Sequence, residues 1–405
     1  MDPLVSEWLE LILRWAHVIA AVMWIGDSFL FMWMDSSLTA PSRTREGTVV
    51  GELWMVHSGG FYEVVKRRSL APGELPQKLH WFKWEAYTTW LSGFFLLIVV
   101  SYLGGGGILW FERGLPPGGP WAAFGWTVLL LVAGWLAYDA LWRSPLARRP
   151  VHAALVSFAL IGLGAFGLTS LYGGRAGYLT LGAMLGTIMA ANVWRRIIPA
   201  QNQMLAATRA GRPVDVSLGE RAKTRSIHNH YLTLPVVFTM LSSHFPTTYG
   251  SRWSWLVLLL VFVFGAAAKY VMNRHARSNR LVVLAGVAAL VAVVALTTRT
   301  PVSATATADL RAHPPVRYET VRTILELRCT TCHAATPSNP AFPRPPAGVV
   351  VEEPKHVRRL AQRILVRAVV TRTMPPANLT GMTDDERRQL GAWIVQGAHL
   401  EPAGP

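Results

Sequence analysis

Cysteine is nearly absent. The chain has 405 residues and two thiols, Cys329 and Cys332, so no disulfide framework holds it together. Charge is scarce as well. Asp, Glu, Lys and Arg make up 15% of the residues, and only 23 of them are acidic against 39 basic, a net charge of +16. In a soluble chain that excess would point to nucleic acid. Here the basic residues lie between apolar blocks, where they orient spans and meet anionic lipid. Membrane lipid is therefore the expected partner, and nucleic acid is not.

What the chain has in place of charge is apolar length. Hydrophobic residues make up 51%, gathered into blocks of about twenty, the length a helix needs to cross about 30 Å of hydrocarbon. Eight spans are expected, near 8–34, 81–103, 121–142, 151–171, 177–198, 231–248, 253–273 and 281–298. Polar or glycine-rich breaks such as the run 104–107 separate them. The first block follows an acidic N-terminus and precedes no small-residue cleavage site, so it is expected to be an uncleaved membrane helix. No internal repeat is evident.

Loop charge orients the spans. The segments after spans one, three, five and seven carry basic clusters, among them Arg43, Arg45, Lys66, Arg67 and Arg68; Arg143, Arg148 and Arg149; Arg195, Arg196, Arg221, Lys223 and Arg225; and Arg274, Arg277 and Arg280. The segments after spans two, four and six carry Arg113, Arg175 and Arg252 alone. Positive residues stay in the cytoplasm, so both termini are expected outside. Residues 1–298 thus form a transmembrane domain, 299–315 a Thr/Ala/Pro-rich extended linker, and 316–405 a small helical domain. In that domain helices are expected over 316–327 and 355–371. A last one opens at Thr383, with Glu386 three positions on as a capping box and Leu390, Trp393 and Ile394 on one face.

Cys329-Thr330-Thr331-Cys332-His333 fits C-x-x-C-H, the attachment signature of a c-type haem. Two thiols reach two vinyl groups on one edge of the macrocycle, and the next imidazole ligates the iron. A thioether as sixth ligand gives an electron-transferring iron of raised potential. Met374, in Arg372-Thr373-Met374-Pro375-Pro376, is the expected sixth ligand. Met382, just before the last helix, is its rival, with core packing as the competing role. A zinc half-site would need more soft ligands, and a redox dithiol would need neither His333 nor Met374. One covalent haem c is expected, on the extracytoplasmic side. The fold class is therefore all-α, an eight-helix transmembrane bundle followed by a small helical, class I-like cytochrome c domain.

Ionisable groups within spans are costly and tend to be functional. His17 lies near mid-membrane and His244 in the outer half. A haem b held in a bundle needs imidazoles from different helices, which these two offer; the competing reading makes each a buried, hydrogen-bonded polar residue. Near the cytoplasmic face, His80, His228 and His230, with Lys83, Glu85 and Asn229, offer a polar pocket. Asp27 lies in span one, and His152, Asp139, Lys269 and His275 lie near other span ends.

Three segments carry a family likeness: His17 to Asp27; the block from His80 to Gly93 with Lys83, Trp84, Glu85 and Trp90; and Arg225-Ser226-Ile227-His228-Asn229-His230-Tyr231 through Ser243-His244-Phe245-Pro246. With the C-x-x-C-H tail, the chain resembles the membrane-bound bacterial urate oxidases (urate hydroxylases) that carry a fused C-terminal cytochrome c. That family usually has a second polar residue such as Asn where this chain has His230. The resemblance implies oxidation of urate to 5-hydroxyisourate, with electrons passed to the chain's own c-type haem and on to a periplasmic cytochrome or terminal oxidase, without peroxide. It implies a multi-pass protein of the bacterial inner membrane with a periplasmic cytochrome domain. It also implies His80, Lys83, Glu85, His228 and Asn229 as catalytic residues. Two other readings stay open: a quinol-oxidising membrane cytochrome, and a non-enzymatic relay that handles haem or metal.

Overall fold

The computed structural model describes residues 3–41, 48–103, 118–251, 253–274, 279–298, 304–339, 342 and 344–400. The glycine run 104–107 and Arg43, Arg45, Arg113, Arg252, His275 and Arg277 lie outside the described residues.

The chain is mostly helical. Its elements are α1 (Pro3–Ser37), β1 (Val49–His57), β2 (Gly60–Arg67), α2 (Trp84–Ile98), α3 (Gly119–Leu141), α4 (Pro150–Leu171), α5 (Gly174–Asn192), α6 (Ile198–Arg209), α7 (Val216–Leu241), α8 (Pro246–Tyr249), α9 (Ser254–Arg274) and α10 (Arg280–Thr298). Then come α11 (Ala304–Ala312), α12 (Tyr318–Arg328), α13 (Thr330–His333), α14 (Pro354–Ile364) and α15 (Asp384–Val395). Among the described residues seven helices are long and apolar enough to cross a membrane. The eighth expected span, 231–248, is the second half of α7, which begins at Val216 and ends at Leu241. Glu220, Arg221, Lys223 and Arg225 belong to its first half, which lowers its mean hydropathy below that of the others. At 26 residues it is about 39 Å long, and it packs between α5 and α9.

Side-chain size runs inside out. α4 turns Ala153, Ala165 and Leu168 inward and leaves Leu155, Leu163 and Phe166 exposed. α10 buries Gly286 and Ala289 and exposes Leu281, Leu284 and Val291. Small residues let helix backbones approach closely, and the outward apolar belt suits hydrocarbon rather than water. α5 is the central helix: 67% of its apolar window is buried, against 6% for α1. Around it Tyr172, Tyr178, Leu181, Leu185, Leu258 and Phe262 form the main core. α5 runs through a π turn at Val193–Ile197 into α6.

The expectation of an all-α fold misses one feature. Val49–His57 and Gly60–Arg67 pair as an antiparallel hairpin. Ser58 and Gly59 turn it, both at positive φ (50° and 76°), the conformation that suits a two-residue hairpin turn. Lys66 pairs with Asp35 at the end of α1, and Lys223 of α7 with the same carboxylate.

The extended linker expected over 299–315 is also different. Residues 304–312 form α11, and Leu310 packs on Gly391 of α15, where a Cβ would stand 3.1 Å from it. The C-terminal unit has its own core of Val321, Leu325, Val357, Leu365, Leu390, Trp393 and Ile394. It meets the bundle where Gly250 comes against Thr371 and where Arg344 pairs with Glu7 of α1.

One buried ion knot joins three elements. Asp139, at the end of α3, accepts from Arg196 Nε at 2.8 Å and Arg225 Nη2 at 3.0 Å, and the Arg225 side chain is 8% exposed. Removing one partner of a buried pair strands the other charge, at a cost of about 3–5 kcal/mol. Asp139→Ala is expected to lower the thermal midpoint of the detergent-purified protein by several degrees, and Asp139→Asn by less. An unchanged midpoint for Asp139→Ala would remove the knot from any structural role.

Candidate functional site

The polar side chains gather in four places. The first is the C-terminal unit. Cys329 ends α12 and α13 carries Cys332 and His333, with His333 N donating to Cys329 O at 2.8 Å. Both cysteines are free. His333 Nδ1 lies 3.0 Å from Val349 O. A carbonyl only accepts, so Nδ1 carries the proton and Nε2 presents its lone pair. Burial lowers the His333 pKa from its ordinary value, which keeps that lone pair free. Burial also pushes the Cys329 thiol up to about 12.

Met374 lies in a loop held from both sides. Its N–H donates to Arg367 O at 2.9 Å, and Arg387 Nη1 donates to its carbonyl at 2.8 Å. Arg387 is 5% exposed and also donates to Asn378 Oδ1 at 3.0 Å. Sequence reasoning missed it. The signal was its place three and seven residues before Leu390 and Ile394, on the buried face of α15. Met382 is buried in the core. Cys329, Cys332, His333, Met374 and Met382 all line one cavity. Two free thiols, an imidazole with a directed lone pair and a thioether are the donor set that a covalent haem needs, so these residues fit the expected group.

The second place is His17. The same cavity, about 2000 Å³, extends into the bundle past His17, Trp90, Phe94, Gly186 and His244. His17 Nδ1 donates to Thr89 O at 2.9 Å and lies 3.3 Å from Ser92 Oγ. His244 is in the turn Ser242–His244 after α7.

The third place is where the C-terminal half of α1 meets the N-terminal end of α2. His80 stands edge-on to Phe82, with ring centroids 4.6 Å apart. Lys83 precedes α2, its ammonium 5.8 Å from the Trp84 ring. Glu85 is in the first turn of α2, and its Oε2 is buried with no partner among the described residues. Asp27 of α1 is within electrostatic reach of Glu85 and His80. Nearby, His230 Nε2 is 3.0 Å from Asn273 Oδ1 and its Nδ1 3.4 Å from Ser28 Oγ. Lys269 is fully buried over the Phe29 ring, with no acceptor among the described residues.

The fourth place contains His228 and Asn229. His228 Nδ1 is 2.7 Å from Tyr138 Oη, Asn192 Nδ2 donates to that hydroxyl at 3.1 Å and to Asn229 Oδ1 at 2.9 Å, and Asn229 Nδ2 donates to Met189 O at 2.9 Å. The residues expected in one pocket therefore separate. His80 and Glu85 stand with Asp27, and Lys83 adjoins them in the chain; His230 turns to Asn273 and Ser28; His228 and Asn229 form a chain with Tyr138 and Asn192. Consecutive helix positions point about 100° apart, which is why His228, Asn229 and His230 reach different neighbours.

The long helices, their apolar outer faces and these interior networks define a class: a helical bundle compatible with multi-pass insertion in a membrane, with ionisable groups concentrated inside. Residues 3–299 match the family of urate oxidase N-terminal domains, and the chain belongs to that family. Membership points to a urate-related oxidoreductase. The match ends where α10 ends, before the C-terminal unit. No curated protein and no solved structure matches the chain.

The C-terminal unit gives a pH test. Burial would raise the Glu386 pKa, but the Thr383 backbone N–H and Arg328 outweigh it and hold the carboxyl below its ordinary value. A depressed carboxylate stabilises the fold above its ordinary value, and that stability is lost as pH falls through the lower, folded one. Acid unfolding of this unit, followed by Trp393 fluorescence, is expected to begin below about pH 4.5. Arg328→Ala should move it to higher pH; an unmoved transition would dismiss the pair.

Proposed function

We propose that the protein oxidises urate to 5-hydroxyisourate in the inner membrane of a bacterium, with the C-terminal unit as its periplasmic cytochrome c domain. The reaction balances as urate plus water giving 5-hydroxyisourate, two protons and two electrons. The single observation that carries this reading is the family match over residues 3–299. Support for membrane insertion comes from the seven apolar helices and α7 packed among them. Cys329, Cys332, His333 and Met374 would hold the haem, which would supply one-electron acceptance, taking the two electrons of each urate one at a time and passing them to a periplasmic cytochrome or terminal oxidase instead of making peroxide.

Urate is a planar, electron-rich anion. Holding it needs a cation, hydrogen-bonding groups and an apolar plate. Lys83 supplies the cation, with His80 and Glu85 close to it in the chain. The Glu85 oxygen without a partner is the one most available to take a urate proton. Tyr87, Trp90 and Trp194, with centroids 5.1–5.2 Å apart, give an aromatic surface at the same end of α2. His228 and Asn229 stand in a separate chain with Tyr138 and Asn192, and in this reading they position α3, α5 and α7.

The experiment is anaerobic. Urate added to the oxidised, detergent-purified protein is expected to reduce the haem c absorption band, with matching loss of urate and no peroxide. Glu85→Gln is expected to slow that reduction by about 10²–10⁴-fold, the usual weight of a general base, while dithionite reduces the variant as before. A band that answers to quinol and not to urate would replace this reading with the quinol-oxidising one. A band that answers to neither would leave an electron relay.

A further inference from the structure

The cavity is too large for one group. Pockets for small ligands and cofactors measure about 300–1,000 Å³, and this one is about 2000 Å³. Its C-terminal end is accounted for by Cys329, Cys332, His333 and Met374. Its other end lies inside the bundle, and four observations there concern what occupies it.

First, His17 is set up as a metal ligand. Nδ1 donates to the Thr89 carbonyl, so the proton is fixed on that nitrogen and the Nε2 lone pair is free, with no hydrogen-bond partner among the described residues. A ligating histidine has the same arrangement, one nitrogen held by a carbonyl and the other on the metal. Second, α2 makes room for that ring. A Cβ at Gly93 would stand 2.7 Å from His17 Cε1, so only glycine lets the helices approach this closely. Third, the lining is aromatic and open. Trp90 and Phe94, stacked on each other at 5.2 Å with their planes 11° apart, line it. Gly186 lines it from the central helix, where an added Cβ would meet no atom within 4 Å. Fourth, the lining is cationic, with Arg14 and Arg175 in it, which suits a ligand bearing carboxylates. A directed imidazole, an aromatic apolar lining with open space and a cation together describe the needs of an iron porphyrin dicarboxylate.

We propose that the bundle binds a second, non-covalent haem, with His17 Nε2 as one axial ligand and His244, which lines the same cavity from the end of α7, as the other. The proposal rests on the cavity and not on the substrate, and Trp90 is the one residue it shares with the urate reading.

The test uses full-length protein produced with ample haem. Acidified acetone removes non-covalent haem and leaves the covalent one on the chain; a pyridine haemochrome assay then counts each. The expected result is about one extractable protohaem per chain beside the covalent haem. No extractable haem overturns the proposal. His17→Ala is expected to lose the extractable haem while the covalent haem stays, which also shows that the chain folded and matured. Retention of extractable haem in that variant overturns the assignment of His17. Gly93→Leu, which crowds His17 without removing it, is expected to give the same loss. His244→Ala is expected to keep the haem and convert its spectrum from six-coordinate low-spin to five-coordinate, with new binding of carbon monoxide. An unchanged spectrum overturns the part assigned to His244.

Discussion

Hydrocarbon offers no hydrogen bonds, so a polar group within the bundle must find its partner there. That constraint organises the rest of the structure. Asp139 is the strongest case: two guanidinium groups, one from the π turn after α5 and one from α7, converge on one carboxylate. The knot fixes α7 against α3 and α5, and from it the chain of Tyr138, Asn192, His228 and Asn229 runs on. Arg225 and His228 of α7 thus find partners on α3 and Asn229 one on α5, while Glu220, Arg221 and Lys223 of its first half stay exposed.

α1 plays a different part. It is the least buried of the long helices, and polar contacts hold it along its length. At one end Glu7 pairs with Arg344 of the C-terminal unit. In the middle His17 meets Thr89 and Ser92. At the other end Asp35 holds Lys66 of the hairpin and Lys223 of α7. A lipid-facing helix gains little from apolar packing, because lipid tails are as apolar as its neighbours. These contacts set its register, and that register places His17 on the cavity and Asp27 beside Glu85.

Much of the fold was legible in the sequence because two signals are long or stereochemically strict. Apolar blocks of about twenty residues gave the positions of the spans within a few residues. The capping box at Thr383 is present, with Glu386 N donating to Thr383 Oγ1 at 3.2 Å and Thr383 N to Glu386 Oε2 at 2.7 Å. The rest failed for physical reasons. The hairpin over 49–67 alternates only briefly among charged residues, and its turn is signalled by Ser58-Gly59 alone. α7 begins fifteen residues before its expected span because its first half is polar, and polarity reads as a loop when the partners that satisfy it are distant in sequence. α11 forms because Leu310 finds Gly391, a tertiary contact that composition does not carry. The site was half legible: residue types mark His80, Glu85 and His228 as notable, but helical phase separates them. Lys269 and Arg387 owe their importance to burial, which only the fold reveals.

The docking of the C-terminal unit follows from its tether. Among the described residues it meets the bundle at Gly250 against Thr371 and at Arg344 with Glu7, and an exposed ion pair is worth about 0–1 kcal/mol. Because it lies on the same chain, the unit is presented to the bundle at high effective concentration, about millimolar for two closely tethered parts, and weak contacts suffice to set its orientation. The cavity crosses that junction, lined by Met374 on one side and Met240 on the other. Docking over a shared cavity leaves the other faces of the C-terminal unit turned away from the bundle, an arrangement that accords with the proposed transfer of electrons to an external acceptor.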